Sequence, residues 1–168
     1  MDLFEAIEQR ASVRELRAVE VPAAELERIL DAGRRAPSGR NRQPVELIVI
    51  RDPDTLKKLS KAQGCIADVA VAIAVAADPK RSEFWLEDVA AATENMLLAI
   101  TALGYASVWI EGTLLQAEED HKRLLGIPEE MRLMAVLPIG AAKKPAQQAA
   151  KRPLSEIVHW ERYGNRQP

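Results

Sequence analysis

With 168 residues, 48% of them hydrophobic and 29% charged, the chain is long enough for one globular domain with a sizeable core. Lysine and arginine number 23 against 25 acidic residues, a formal net charge of −2, which excludes the overall cationic field of a nucleic-acid binder. A single cysteine, Cys65, excludes an intrachain disulfide, and two histidines with that lone thiol offer no metal-ligating spacing.

The N-terminal stretch alternates charged and apolar residues and lacks the apolar run of a secretory signal, so a cytoplasmic location is expected. Next comes RASVR. In an extended segment Arg10, Ser12 and Arg14 project from one side and offer two guanidinium groups flanking a hydroxyl, which suits an anion; the alternative is a solvated helix end with a capping serine. The segment from Val21 to Arg35 repeats apolar residues at Leu26, Ile29, Leu30 and Gly33, with Pro22 suited to a first turn, and predicts an amphipathic helix.

GRRAPSGRNRQP, residues 33–44, then sets Ser38, Gly39, Asn41 and Gln43 between Pro37 and Pro44. A loop stiffened in this way can hold the edge of a heterocycle, or simply connect a helix to a strand. Its arginines, with Arg34 and Arg35, more plausibly line a solvated edge than a nucleic-acid surface. VELIVIRDP predicts a strand closed by Asp52-Pro53, followed by a polar helix, TLKKLSKAQ. VAVAIAVAA, 69–77, is a buried strand, far short of the roughly 20 residues of a membrane span.

From Ser82 to Gly104 a helix is predicted whose second half is apolar nearly all round. One small sheet covers only one side of such a helix, which points to a second subunit on the other. YASVWIEGT reads as a strand entering a tight turn at Gly112, where the missing Cβ lets backbone approach a flat ligand. EEDHKRLL reads as a surface helix and LMAVLPIG as a buried strand. The tail is basic at Lys151 and Arg152, a second cationic site or a solvated linker, yet ends with Ile157, Val158, Trp160 and Tyr163, which is apolar for a free end. Helices and strands alternate, so the class is α/β or α+β. Neither G-x-G-x-x-G nor G-x-x-x-x-G-K-[ST] is present, and Ser38 lacks the G-x-S-x-G setting of a hydrolase nucleophile.

Taken in order, RASVR, APSGRNRQP, NMLLAITALGYASVWIEG, LPIG and KRPLSEIVHWERYG resemble the FMN-dependent nitroreductase family over nearly the whole chain. The resemblance implies an α+β sandwich, a mixed central sheet flanked by helices, built as an intertwined homodimer with FMN in clefts at the subunit interface. Residues 1–168 then form a single domain whose tail, from about 145 to 168, docks on the partner. Arg10 and Ser12 would hold the FMN phosphate and ribityl chain, with Lys151 or Arg152 reaching the same phosphate. Arg14 would lie by the pyrimidine edge, joined by Gln63. Pro37, Ser38, Gly39 and Asn41 match the loop that closes over the flavin from the other subunit, and Glu111 and Gly112 the turn whose backbone N–H faces flavin N5. No side chain is assigned a catalytic role, because N5 is the reacting atom.

Two departures from the family pattern stand out. Val45 follows Gln43-Pro44 where an aromatic is common, and between Asp78 and Ser82 there is no room for the helical insertion of longer members, so a shallow substrate pocket is expected. The implied activity is reduction of nitroaromatic or quinone acceptors by NADH or NADPH in a ping-pong cycle. A non-enzymatic flavin-sequestering protein and a dehalogenating or dehydrogenating branch are the alternatives.

Overall fold

The computed structural model describes residues 1–166. At its centre, β2 (Val45–Ile50), β3 (Val71–Ala77) and β4 (Arg132–Ile139) form a three-stranded sheet in the order β2-β3-β4, antiparallel throughout. β3 is buried at every position, as its unbroken apolar run predicts. Period-2 alternation divides its side chains: Ala72 and Ala74 join a cluster with Leu16, Leu59, Ile66 and Val136, whereas Ile73 and Val75 join one with Ile29, Met96, Ile100 and Leu137. Each large side chain buried in this way stabilises the fold by about 1.5–3 kcal/mol.

The second cluster is covered by α2 (Ala23–Arg34) and α4 (Trp85–Ala102). These helices meet at Gly33, where a Cβ would lie 2.8 Å from the Met96 side chain, so glycine is what lets them approach. α1 (Leu3–Gln9) begins with a capping box, in which Asp2 accepts from Glu5 N–H at 2.9 Å and Glu5 accepts from Asp2 N–H at 2.9 Å, and it packs on α4. Its outer residues Leu3, Phe4 and Ile7 remain exposed. The opposite face of the sheet carries α3 (Pro53–Leu59), capped by Asp52. A two-stranded ribbon pairs β1 (Leu16–Arg17) with β5 (Ala141–Ala142).

The predicted strand at YASVWIEGT does not form. Ala106 pairs with Gly140 and Ile110 with Val136, each by a single antiparallel bridge. Both bridges belong to one register, which sets Val108 opposite Pro138 between them. Proline has no N–H to donate, so the ladder is interrupted there. A parallel bridge, Ser12 to Ser107, supplies the only parallel pairing among the described residues. The turn expected at Gly112 is instead the start of a short helix, α5 (Gly112–Leu115). α6 (Glu118–Leu125) is less of a surface helix than its charges suggest: His121 and Lys122 are buried, the Lys122 ammonium donating to Glu119 at 3.1 Å and to the Glu129 carbonyl at 2.8 Å.

The tail contains one helical turn, α7 (Leu154–Ile157), and leaves Leu154, Ile157, Val158, Trp160 and Tyr163 exposed. Its last two residues, 167 and 168, lie outside the described residues. No helix among the described residues is long and apolar enough to cross a membrane.

Candidate functional site

The RASVR segment leaves α1 with its backbone extended at Arg10 (φ −60, ψ 119). Val13 turns inward and donates its N–H to the Ser107 carbonyl at 2.9 Å, which leaves Ser12 and Arg14 exposed on the other side, as period-2 alternation requires. Arg10 is half-buried. Its Nε lies 3.3 Å from the Glu94 carboxylate on α4 but makes no hydrogen bond there, leaving a buried donor without an acceptor. The hydroxyl of Ser107, on the segment bridged to Ser12, is also buried and unpaired.

Arg14 stands near the turn at Gly64–Asp68. Burial pushes the Cys65 thiol above its ordinary range, and the Arg14 charge partly offsets that rise. Gln63, half-buried, immediately precedes the same turn. The tail is tied to this region by Gln148, which donates to the Ile7 carbonyl at 2.7 Å and to the Arg10 carbonyl at 2.9 Å. Three residues on, Lys151 is exposed, and Arg152 pairs with Glu156 at 3.2 Å rather than with anything near Arg10. Because Ser12 pairs with Ser107 in parallel, both segments run the same way, and the second leads to Glu111 and Gly112. Gly112 is exposed, with no atom within 4 Å of where a Cβ would stand.

A second cluster gathers Pro37, Ser38, Gly39 and Asn41. Arg40, Asn41 and Gln43 all have positive φ (51, 56 and 49), strained for non-glycine residues, so the loop needs anchors. Ser38 Oγ accepts from Gln43 N–H at 3.0 Å, and Gly39 N–H donates to the buried Asp88 carboxylate at 2.8 Å. The second Asp88 oxygen accepts from the Ser82 hydroxyl at 2.7 Å. A Cβ at position 39 would lie 2.4 Å from the Phe84 ring, so only glycine fits. Beneath the loop, between α2, β2 and α4, is a groove of about 610 Å³ lined by Leu30, Pro37, Val45, Leu47 and Ala92.

The structure therefore sets Ser12 beside the segment that leads to Glu111 and Arg14 near the turn that Gln63 precedes, and builds Pro37–Asn41 into a separate cluster around Asp88. Arg152 is held apart by Glu156. Sequence reasoning missed Asp88, Ser82, Glu94 and Gln148. The groove of about 610 Å³ lies at the second cluster, but the orphaned donor lies at the first. The chemistry of the first cluster fits a phosphate: Arg10 Nε is a buried donor without an acceptor, and Ser12, two residues on, is exposed. Among the described residues no group of three or more histidine, cysteine, aspartate or glutamate side chains is placed to hold a metal ion.

The elements define an α+β sandwich. The model of the Nitroreductase family matches residues 7–76 and 61–141. A protein of Archaeoglobus fulgidus, provisionally named an NADH dehydrogenase/NAD(P)H nitroreductase, is 36% identical over 174 residues, covering 96% of this chain and 99% of the relative. A crystal structure from Bacteroides thetaiotaomicron with the same provisional name superposes with a TM-score of 0.89 at 28% identity, over 96% of this chain and 98% of that one. An FMN-dependent nitroreductase of Clostridium difficile shares the fold, with a TM-score of 0.85 at 24% identity over 95% of this chain and 99% of that one. The chain belongs to the nitroreductase family.

Proposed function

We propose that the protein is an FMN-dependent oxidoreductase that uses NADH or NADPH to reduce nitroaromatic or quinone acceptors. The observation that carries this reading is the buried Arg10 Nε without an acceptor, two residues before the exposed Ser12. The nicotinamide part follows the naming of the 36%-identical relative.

Arg10 and Ser12 bind the phosphate, each charge-assisted hydrogen bond contributing about 1.5–3 kcal/mol. Lys151, which has no ion-pair partner among the described residues, is the better placed of the two tail cations to join them, since Arg152 is engaged by Glu156. Arg14, with Gln63, sets positive charge at the pyrimidine edge and favours the reduced cofactor. Glu111 and Gly112 orient the ring through backbone N–H groups, with no side chain in the way at Gly112. Arg10, Ser12, Arg14, Gln63, Glu111 and Gly112 would hold FMN, which would supply hydride-transfer chemistry between the nicotinamide and the acceptor.

Pro37, Ser38, Gly39 and Asn41 cover the site from the second subunit of a homodimer. Supporting that dimer are two unpartnered apolar surfaces, one of Leu3, Phe4 and Ile7 and one of Leu154, Trp160 and Tyr163 in the tail. The test is the absorption spectrum of the purified protein, followed by NADH and NADPH oxidation with an added quinone or nitroaromatic. Bound FMN with acceptor-dependent turnover is expected. Bound FMN without turnover identifies a flavin-sequestering protein, and absence of flavin affinity refutes the reading.

A further inference from the structure

From Lys143 to Val158 every residue is exposed except Gln148. Its amide nitrogen donates to the Ile7 carbonyl at 2.7 Å and to the Arg10 carbonyl at 2.9 Å. A carbonyl can only accept, so both N–H groups of the amide are committed to these two oxygens. The Ile7 carbonyl belongs to the last turn of α1, which runs out of intrahelical donors, and Arg10 is the first residue beyond that helix. One side chain thus closes the end of α1 and holds the backbone of the residue whose Nε is a buried donor without an acceptor.

Gln148 is also where the tail is last fastened to the body of its own chain. Before it, the Lys143 N–H donates to the Glu15 carbonyl at 2.8 Å, and Lys144 adds an ion pair with Glu15 at 2.9 Å that is weak because both side chains are exposed. After it, the hydrogen bonds and ion pairs of residues 149–166 run to other tail residues, Arg152 to Glu156, Gly164 to His159 and Arg166 to Ser155 among them. Lys151 lies three residues past the anchor, so its Cα stays within about 11 Å of that of Gln148 even in a fully extended chain. Arg10 does not need the tail to hold its place. Its N–H donates to the Ala6 carbonyl at 2.9 Å, and the Val13 N–H to the Ser107 carbonyl at 2.9 Å.

We infer that Gln148 is a positioning residue for the cofactor phosphate, holding Lys151 within reach of the group that Arg10 and Ser12 bind. The inference rests on the oxidoreductase reading above. A phosphate monoester carries about −1.5 to −2 charge at neutral pH, and the Arg10 charge is already faced by Glu94 at 3.3 Å, so a second cation is needed there. The effective concentration of a tethered group falls roughly as the −3/2 power of tether length. Releasing Gln148 lengthens the tether of Lys151 from three residues to the eight that separate it from Lys143, which weakens its contribution about fourfold.

The test is a double-mutant cycle in the full-length chain, read by fluorescence titration with FMN and with riboflavin, which differ only in the phosphate. Gln148→Met keeps the length of the side chain and removes both N–H groups. It should lower FMN affinity about fourfold and leave riboflavin affinity unchanged. Lys151→Ala should lower FMN affinity at least as much, and adding Gln148→Met to it should cost nothing further. Equal losses for FMN and riboflavin identify a merely structural cap on α1 and overturn the inference, as does a loss that persists in the Lys151→Ala background or an unchanged FMN affinity. A parent protein that binds FMN and oxidises NADH or NADPH, but shows no coupling in the cycle, loses the role of Gln148 alone. A parent that binds neither flavin loses the oxidoreductase reading and this inference together.

Discussion

Asp88 and Gly39 lie 49 residues apart in sequence and are joined by a 2.8 Å hydrogen bond from the Gly39 N–H to a carboxylate that is 4% exposed. No cation pairs with that carboxylate among the described residues; its other oxygen accepts from Ser82. A buried charge held by hydrogen bonds alone is tolerated only if they persist, so the bond specifies one conformation for a loop with three left-handed non-glycine residues. Asp88→Ala is expected to destabilise the protein by about 1.5–3 kcal/mol and to accelerate tryptic cleavage after Arg40 and Arg42. Asp88→Asn keeps an acceptor for Gly39 and should lose less than half as much. Urea unfolding and timed proteolysis measure both; an unaltered cleavage rate in Asp88→Ala refutes the anchoring role.

Arg10→Ala should lower FMN affinity by about tenfold to a hundredfold, the equivalent of one charge-assisted interaction at 1.4 kcal/mol per factor of ten. Thermal stability of the flavin-free protein should hardly change, because Glu94, freed of its partner, is itself 41% exposed. Fluorescence titration with FMN makes the measurement, and equal affinity in variant and parent removes Arg10 from the phosphate.

Arg14→Ala, by contrast, should leave FMN bound and shift its midpoint potential downward, since the lost cation favours the reduced cofactor. An unchanged potential in spectroelectrochemical titration places Arg14 elsewhere.

If Arg10 and Asn41 reach one flavin from different subunits, Arg10→Ala and Asn41→Ala chains should complement each other. Each homodimer carries two damaged sites, whereas a mixed dimer collects both lesions in one site and leaves the other intact. Random reassortment makes about half the dimers mixed, so co-expression should restore about a quarter of the parent activity. No recovery in verified mixed dimers assigns both residues to one chain's site.

Glu118 accepts from Arg132 Nε at 2.8 Å and from Leu133 N–H at 3.0 Å, and its side chain is 11% exposed. Burial pushes its carboxyl up, but the Arg132 ion pair and the Leu133 N–H outweigh this and hold it below the ordinary carboxylate range. A group whose folded value lies below its unfolded one contributes stability that is complete above the unfolded value, about 4.3 for glutamate, and is lost as pH falls through the folded value. Glu118→Gln should therefore lose on the order of 1 kcal/mol at pH 7, discounted because Arg132 is partly in solvent, and match the parent only in acid. Parallel urea titrations from pH 7 to pH 3 test this; a difference independent of pH contradicts it.

Local pattern carried much of the architecture. The apolar periodicity around Leu26, Ile29 and Gly33 marked α2, the unbroken run at 69–77 marked β3, which begins two residues later at Val71, and Asp52-Pro53 marked where β2 yields to α3, because these signals depend only on which face of a short segment avoids water. The alternation of Ser12 and Arg14 was legible for the same reason. What failed depended on partners distant in the chain. The 105–110 segment has strand composition, and its ladder breaks because β4 brings Pro138 opposite Val108, a matter of register that neither segment reveals by itself. Asp88 reads in sequence as an ordinary acidic residue in the first turn of α4, and Gln148 as one amide in a polar tail. Only the packing of α4 against the Ser38–Asn41 loop, and the return of the tail beside α1, gives each a buried or shared hydrogen-bond partner. The sequence alone determined which segments are apolar on one face, since burial free energy is additive along a local period; the tertiary structure alone decided which polar groups meet, since a hydrogen bond needs both partners within about 3 Å and no local period encodes the second.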